Sequence, residues 1–148
     1  MDLGNSASTH LHFAEVETCP MGRLKDICFD CRDPWTLAHW WAETLGYRVR
    51  PHSDADLAQL RADGIDRRED DPNIAVDPID EKGPGFWFCR VPEPKVVKNR
   101  VHVDVMGDVD ELVGRGASVV DRLAKWTVLA DPEGNEFCVF ERGSHPED

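Results

Sequence analysis

Arg100, His102 and Asp104 alternate with Val101, Val103 and Val105 in the run RVHVDV. On an extended chain the first three share one face and the valines take the other. A histidine beside a carboxylate can move a proton near neutral pH, with the acid orienting the ring. His102 is therefore a candidate general base, and Asp104 or Asp30 could orient it. The competing reading is structural: the pair bonds to cross-strand neighbours and Arg100 neutralises the acid. Just upstream, Pro92 and Pro94 restrict the backbone, and Lys95, Lys98 and Arg100 place three cations within six residues. Such a group can clamp an anionic ligand, or pair with the acidic excess of the chain.

Cysteines are the other chemical resource: Cys19, Cys28, Cys31, Cys89 and Cys138. Cys28 and Cys31 form a C-x-x-C. On a strand, residues three apart face opposite sides, so this pair cannot chelate together. No second C-x-x-C accompanies it, and no cysteine has an adjacent base in sequence. With no export signal, reduced thiols in a cytoplasm are expected. Phosphate-binding glycine loops and the G-x-S-x-G elbow are missing from the sequence.

The chain that must position these groups has 148 residues, with 29 acidic against 17 basic side chains and a net charge of -12. That balance argues against nucleic acid as a partner, because phosphate binding needs a basic surface. No apolar run is long enough to span a bilayer, so no membrane partner is expected. The expected partner is a small molecule, bound by a monomer or homodimer in the cytoplasm.

Periodicity and breakers predict the elements. Residues 1–22 are expected to be a tail, in which His10 to Phe13 could add an edge strand. A strand is predicted over 24–31, with Asp26, Cys28 and Asp30 on one face. Asp33-Pro34 caps a helix that ends at Gly46. Strands over 47–50, 73–79 and 86–91 follow, with a short helix at 54–62. From 100 the order returns: strand 100–106, helix 109–115 ended by Gly116, then strands 117–121, 125–130 and 136–141. The halves align as Gly46-Tyr-Arg-Val49 with Gly116-Ala-Ser-Val119, and Phe88-Cys89 with Phe137-Cys138. The repeat predicts an α+β domain over 23–142, made of two βαβββ modules that form a curved mixed sheet around a central cavity, helices outside. Module one spans 23–91, the linker 92–99 and module two 100–142, with a tail at 143–148.

Three segments carry a resemblance: FDCRDPWTLAHWWAETLGY, GFWFCRVPEPKVVKNRVHVDV and LADPEGNEFCVF. They resemble the vicinal oxygen chelate superfamily, which includes glyoxalase I, bleomycin-resistance proteins and extradiol dioxygenases, and within it the glyoxalase-like domain group. The resemblance implies either a lyase or isomerase of unknown substrate, or a non-catalytic binder like the antibiotic-sequestering members. It also implies where a metal would sit, on the first and last strand of each module, where metal-dependent members carry His, Glu or Gln. Carried across, those positions are Asp26, Cys89, His102 and Cys138. Only His102 keeps the usual ligand type. A metal at such a set would be thiophilic, zinc above magnesium or manganese; the favoured reading has no metal, with both cysteines as small buried hydrophobes. By alternation the cavity wall would hold Asp30, Trp87, Arg100 and Phe140, with Lys98 at its mouth as a further ligand contact.

Overall fold

The computed structural model describes residues 24–141. The expected tail strand near His10 lies outside them. Module one runs β1 (Asp26–Cys31), α1 (Pro34–Leu45), β2 (Tyr47–Val49), α2 (Asp54–Ala62), β3 (Asn73–Pro78) and β4 (Gly85–Arg90). Module two runs β5 (Asp104–Met106), α3 (Val109–Gly114), β6 (Ser118–Arg122), β7 (Thr127–Ala130) and β8 (Glu136–Phe140). The fold is α+β, with two four-stranded mixed sheets ordered β1-β4-β3-β2 and β5-β8-β7-β6. In each sheet the first strand pairs parallel with the last, and the remaining pairs are antiparallel. The expected curved sheet is thus two sheets, one per module, and not a closed barrel.

Local chemistry explains α1. The Asp33 carboxylate accepts the Thr36 amide at 3.2 Å, and Pro34 occupies the first turn where no donor is needed. Gly46 ends the helix at φ 66, a left-handed conformation in which its N–H reaches the Ala42 carbonyl. The stripe Leu37, Trp40 and Trp41 is buried and joins the modules. Trp41 packs on Phe29 of β1 and on Phe137 of β8, with ring centroids 5.4 and 5.1 Å apart. Its indole N–H donates to Asp131 at 3.0 Å, and the Trp40 indole donates to the Arg115 carbonyl at 2.9 Å. One core therefore serves both sheets: Phe86, Phe88 and Val76 from the first, Phe137, Val139 and Leu129 from the second.

The strand predicted from residue 100 begins only at Asp104. β8 opposes residues 104–106 and no more, with one further bond from the Cys138 amide to the Val103 carbonyl. Val101, which should have been buried by the alternation, is 76% exposed. The segment 91–103 is instead fastened from its side. Glu136 accepts the Asn99 amide at 3.0 Å and pairs with Lys95 at 3.1 Å, and the Asn99 side chain donates to Asn135 at 3.3 Å.

Candidate functional site

In each sheet the first strand stands at an edge, and the β1 edge faces the linker that leads into β5. There the residues 27–32 of β1 and its flank, the linker and the 132–135 turn enclose a cavity of about 790 Å³. Asp30, Arg100 and His102 line it, as do Arg32 and Lys95. Lys95 is committed to Glu136. Arg32 and Arg100 form no ion pair among the described residues, which leaves two guanidinium groups available to an anion. Glu133, which also lines the cavity, is occupied: its carboxylate accepts the Arg32 and Asp33 amides at 2.7 Å each.

The ladders define equivalent positions in the two modules. Asp30 lies opposite Cys89, and Asp104 opposite Cys138. Two residues earlier in the chain stand Cys28, on β1, and His102, in the linker ahead of β5. The resemblance had set Asp26 level with His102; counting back from Asp30 and Asp104 sets Cys28 level with His102, although the module-two ladder itself begins at Asp104. Asp26 is held elsewhere, accepting from Lys25 at 2.5 Å and from the Trp87 indole at 3.1 Å. Lys25 and Trp87 outweigh the effect of burial and hold its carboxyl below the usual range.

His102, Asp104 and Cys138 come together, with one ligand atom from each within 4.8 Å of the others. His102 and Asp104 are exposed and Cys138 is buried. Burial and then the Asp104 charge push the Cys138 thiol up, so it stays protonated. This trio is the one group among the described residues able to hold a metal ion. Its nitrogen, oxygen and sulfur donors suit zinc better than magnesium. The four-position chelate implied by the resemblance does not fit: Asp26 is engaged with Trp87, and neither it nor Cys89 joins the His102, Asp104 and Cys138 group.

The other expected contacts are divided. Trp87 bonds Asp26, carries the Arg50 guanidinium over its ring at 5.2 Å, and faces a separate cavity of about 320 Å³ beside α2. Phe140 packs on Trp126 at 5.8 Å. Lys98 is exposed on the linker, outside the cavity lining, where its charge acts on Cys138. Arg32 and Asn99 went unremarked in the sequence; neither stands in a periodic pattern, and their roles follow from a junction of distant segments.

The sequence matches the glyoxalase-like domain family over residues 26–140, and the chain belongs to that family. Solved structures share its fold. A glyoxalase/bleomycin resistance protein/dioxygenase family enzyme from Burkholderia phytofirmans PsJN is 16% identical with a TM-score of 0.55, over 81% of this chain and 98% of that one. A "possible Glyoxalase" from Bacillus cereus is 14% identical with a TM-score of 0.52, over 82% and 99%. A hypothetical protein from S. aureus is 12% identical with a TM-score of 0.54, over 82% and 95%. At these identities the likeness is one of fold. No curated protein matches the sequence. No helix among the described residues is long and apolar enough to cross a membrane.

Proposed function

We propose that the protein is a lyase or isomerase acting on a small anionic molecule held at the module junction, with His102 as the base and Asp104 orienting it. One observation carries this reading: His102 lines the cavity of about 790 Å³ and also lies within 4.8 Å of the Asp104 carboxylate. Arg32 and Arg100 supply charge to hold the anion, and the imidazole accepts a proton from the bound molecule and returns it to the product. The pair works without the usual chelate of the superfamily, since thiols stand at the corresponding positions. A second reading, a binder without turnover, is favoured by the protonated state of Cys138 and Cys89, both pushed up first by burial, which leaves neither as a ready nucleophile.

A thermal-shift screen of small carboxylates and phosphate esters, followed by product detection by NMR, tests both. The expected result is an anion that raises Tm in the wild type and less so in Arg100→Ala, and that turns over in the wild type but not in His102→Ala. Turnover that survives His102→Ala sinks the base assignment. Binding without any turnover selects the second reading, and no anion raising Tm refutes both.

A further inference from the structure

The charges of the junction cavity come in both signs. Three carboxylates, Asp30, Glu93 and Glu133, line it together with three cations, Arg32, Lys95 and Arg100. Two of the six are already engaged: Glu133 by the Arg32 and Asp33 amides, and Lys95 by Glu136. The side chains of Asp30, Glu93, Arg32 and Arg100 form no ion pair with one another or with any other described residue. Two carboxylates and two guanidiniums therefore face one cavity, balanced in charge although the chain as a whole carries -12.

That balance selects a kind of ligand. A simple anion is attracted by the guanidiniums and repelled by the carboxylates, and a simple cation meets the reverse. A molecule bearing both charges can be complementary to all of them. The placement sets how far apart its charges lie. Asp30 is fixed on β1 by the ladder opposite Cys89, and Arg32 follows two residues later, just past the strand end. Two residues of extended chain span roughly 7 Å. A ligand with an ammonium and a carboxylate on one carbon bridges such a gap through charge-assisted hydrogen bonds of about 2.8 Å at each end. Arg100, in the segment ahead of β5, adds a second guanidinium.

We propose that the anion held at the junction is the carboxylate of a zwitterionic amino acid, an inference that rests on the anion-binding reading of this cavity. Arg32 and Arg100 hold the carboxylate, and Asp30 accepts from the ammonium group. Asp30 is thereby the residue that sets specificity, separating an amino acid from the same acid without its amino group. Glu93 lies between two prolines on the linker, where no ladder fixes it, and takes no part in that choice. His102 keeps the role assigned to it.

Titration calorimetry on the full-length protein provides the test. The probes are the common amino acids, each matched with its deaminated acid and its decarboxylated amine. At least one amino acid should bind about tenfold or more tighter than both of its matched compounds, the worth of one hydrogen bond between charged groups. Asp30→Asn should remove the preference for the amino acid over the deaminated acid without weakening the acid itself, and Glu93→Gln should keep it. The comparison within the wild type decides the ligand class even if a variant fails to fold. A deaminated acid that binds as tightly as its amino acid overturns the proposal and leaves the anion reading standing. So does a preference that survives Asp30→Asn or that Glu93→Gln abolishes. An amine that binds as tightly as its amino acid, or no binding by any of the three series, overturns both the proposal and the reading beneath it.

Discussion

Glu136→Ala should loosen the linker that forms one wall of the cavity. The carboxylate accepts the Asn99 amide at 3.0 Å and pairs with the Lys95 ammonium at 3.1 Å, with the Lys95 and Glu136 side chains 24% and 15% exposed. A hydrogen bond to a charged acceptor contributes about 1.5–3 kcal/mol. The ion pair touches solvent and adds at most about 1 kcal/mol. The expected loss is then about 2–3 kcal/mol, which for a domain of this size lowers Tm by roughly 8–12 °C. Glu136→Gln keeps an acceptor for Asn99 and should lose about half as much. Differential scanning calorimetry reads the stability, and hydrogen exchange at the Asn99 amide reads the linker directly. The pH dependence supplies an internal check. Burial alone would raise the Glu136 carboxyl, but the Asn99 amide, its own amide and Lys95 outweigh it and hold the group below its ordinary 4.5. A carboxyl depressed on folding stabilises above its unfolded value, and that stability is lost as pH falls through the folded value. The Tm gap between wild type and Glu136→Gln should be constant above about pH 5 and narrow below about pH 4. A Glu136→Ala protein within about 2 °C of wild type, with Asn99 exchange unchanged, would refute the fastening role.

Asp131 is the deepest polar hub, 3% exposed, and it accepts from the Trp41 indole at 3.0 Å, the Asn135 side chain at 3.0 Å, and the Glu133 and Asn135 amides at 2.9 Å each. Asp131→Ala strands several buried donors and should cost about 3–5 kcal/mol; thermal unfolding within a few degrees of wild type would contradict that. Cys31 is pushed up to about 12, chiefly by burial and then by the Glu133 charge. At pH 8 iodoacetamide should alkylate exposed Cys28 first and Cys31 only on unfolding, and equal native-state rates by peptide mapping would disprove the assignment.

Features governed by near neighbours in the chain were legible in the sequence. Asp33, Pro34 and Gly46 delimit α1 because a helix end is satisfied by residues one turn away. The paired Phe-Cys dipeptides marked β4 and β8, and both phenylalanines are fully buried. What stayed hidden depends on partners far off in the chain. The alternation 100–105 is a strand pattern, but no strand of β8 opposes residues 100–102, so half of it is linker. Trp87 and Phe140 alternate onto the expected face, yet Asp26 with Arg50 claims the first and Trp126 the second. Counting back from the partners Asp30–Cys89 and Asp104–Cys138 sets Cys28 rather than Asp26 level with His102, and those partners show in neither strand alone.

That register explains how a duplicated frame divides its chemistry. Phe88 and Phe137 occupy the same place in each module and meet the same demand, to close a sheet on the shared core around Trp41. Asp30 and Asp104 likewise match, each opposite a cysteine. The difference falls two residues earlier, where module one carries Cys28 and module two His102. With a thiol there, module one has no base beside its carboxylate. With an imidazole, module two has a base beside a carboxylate. His102 and Cys28 both line the junction cavity. A ligand there meets the thiol of Cys28 from module one and the imidazole of His102 from module two, so the residue that breaks the internal symmetry also sets the chemistry of the cavity.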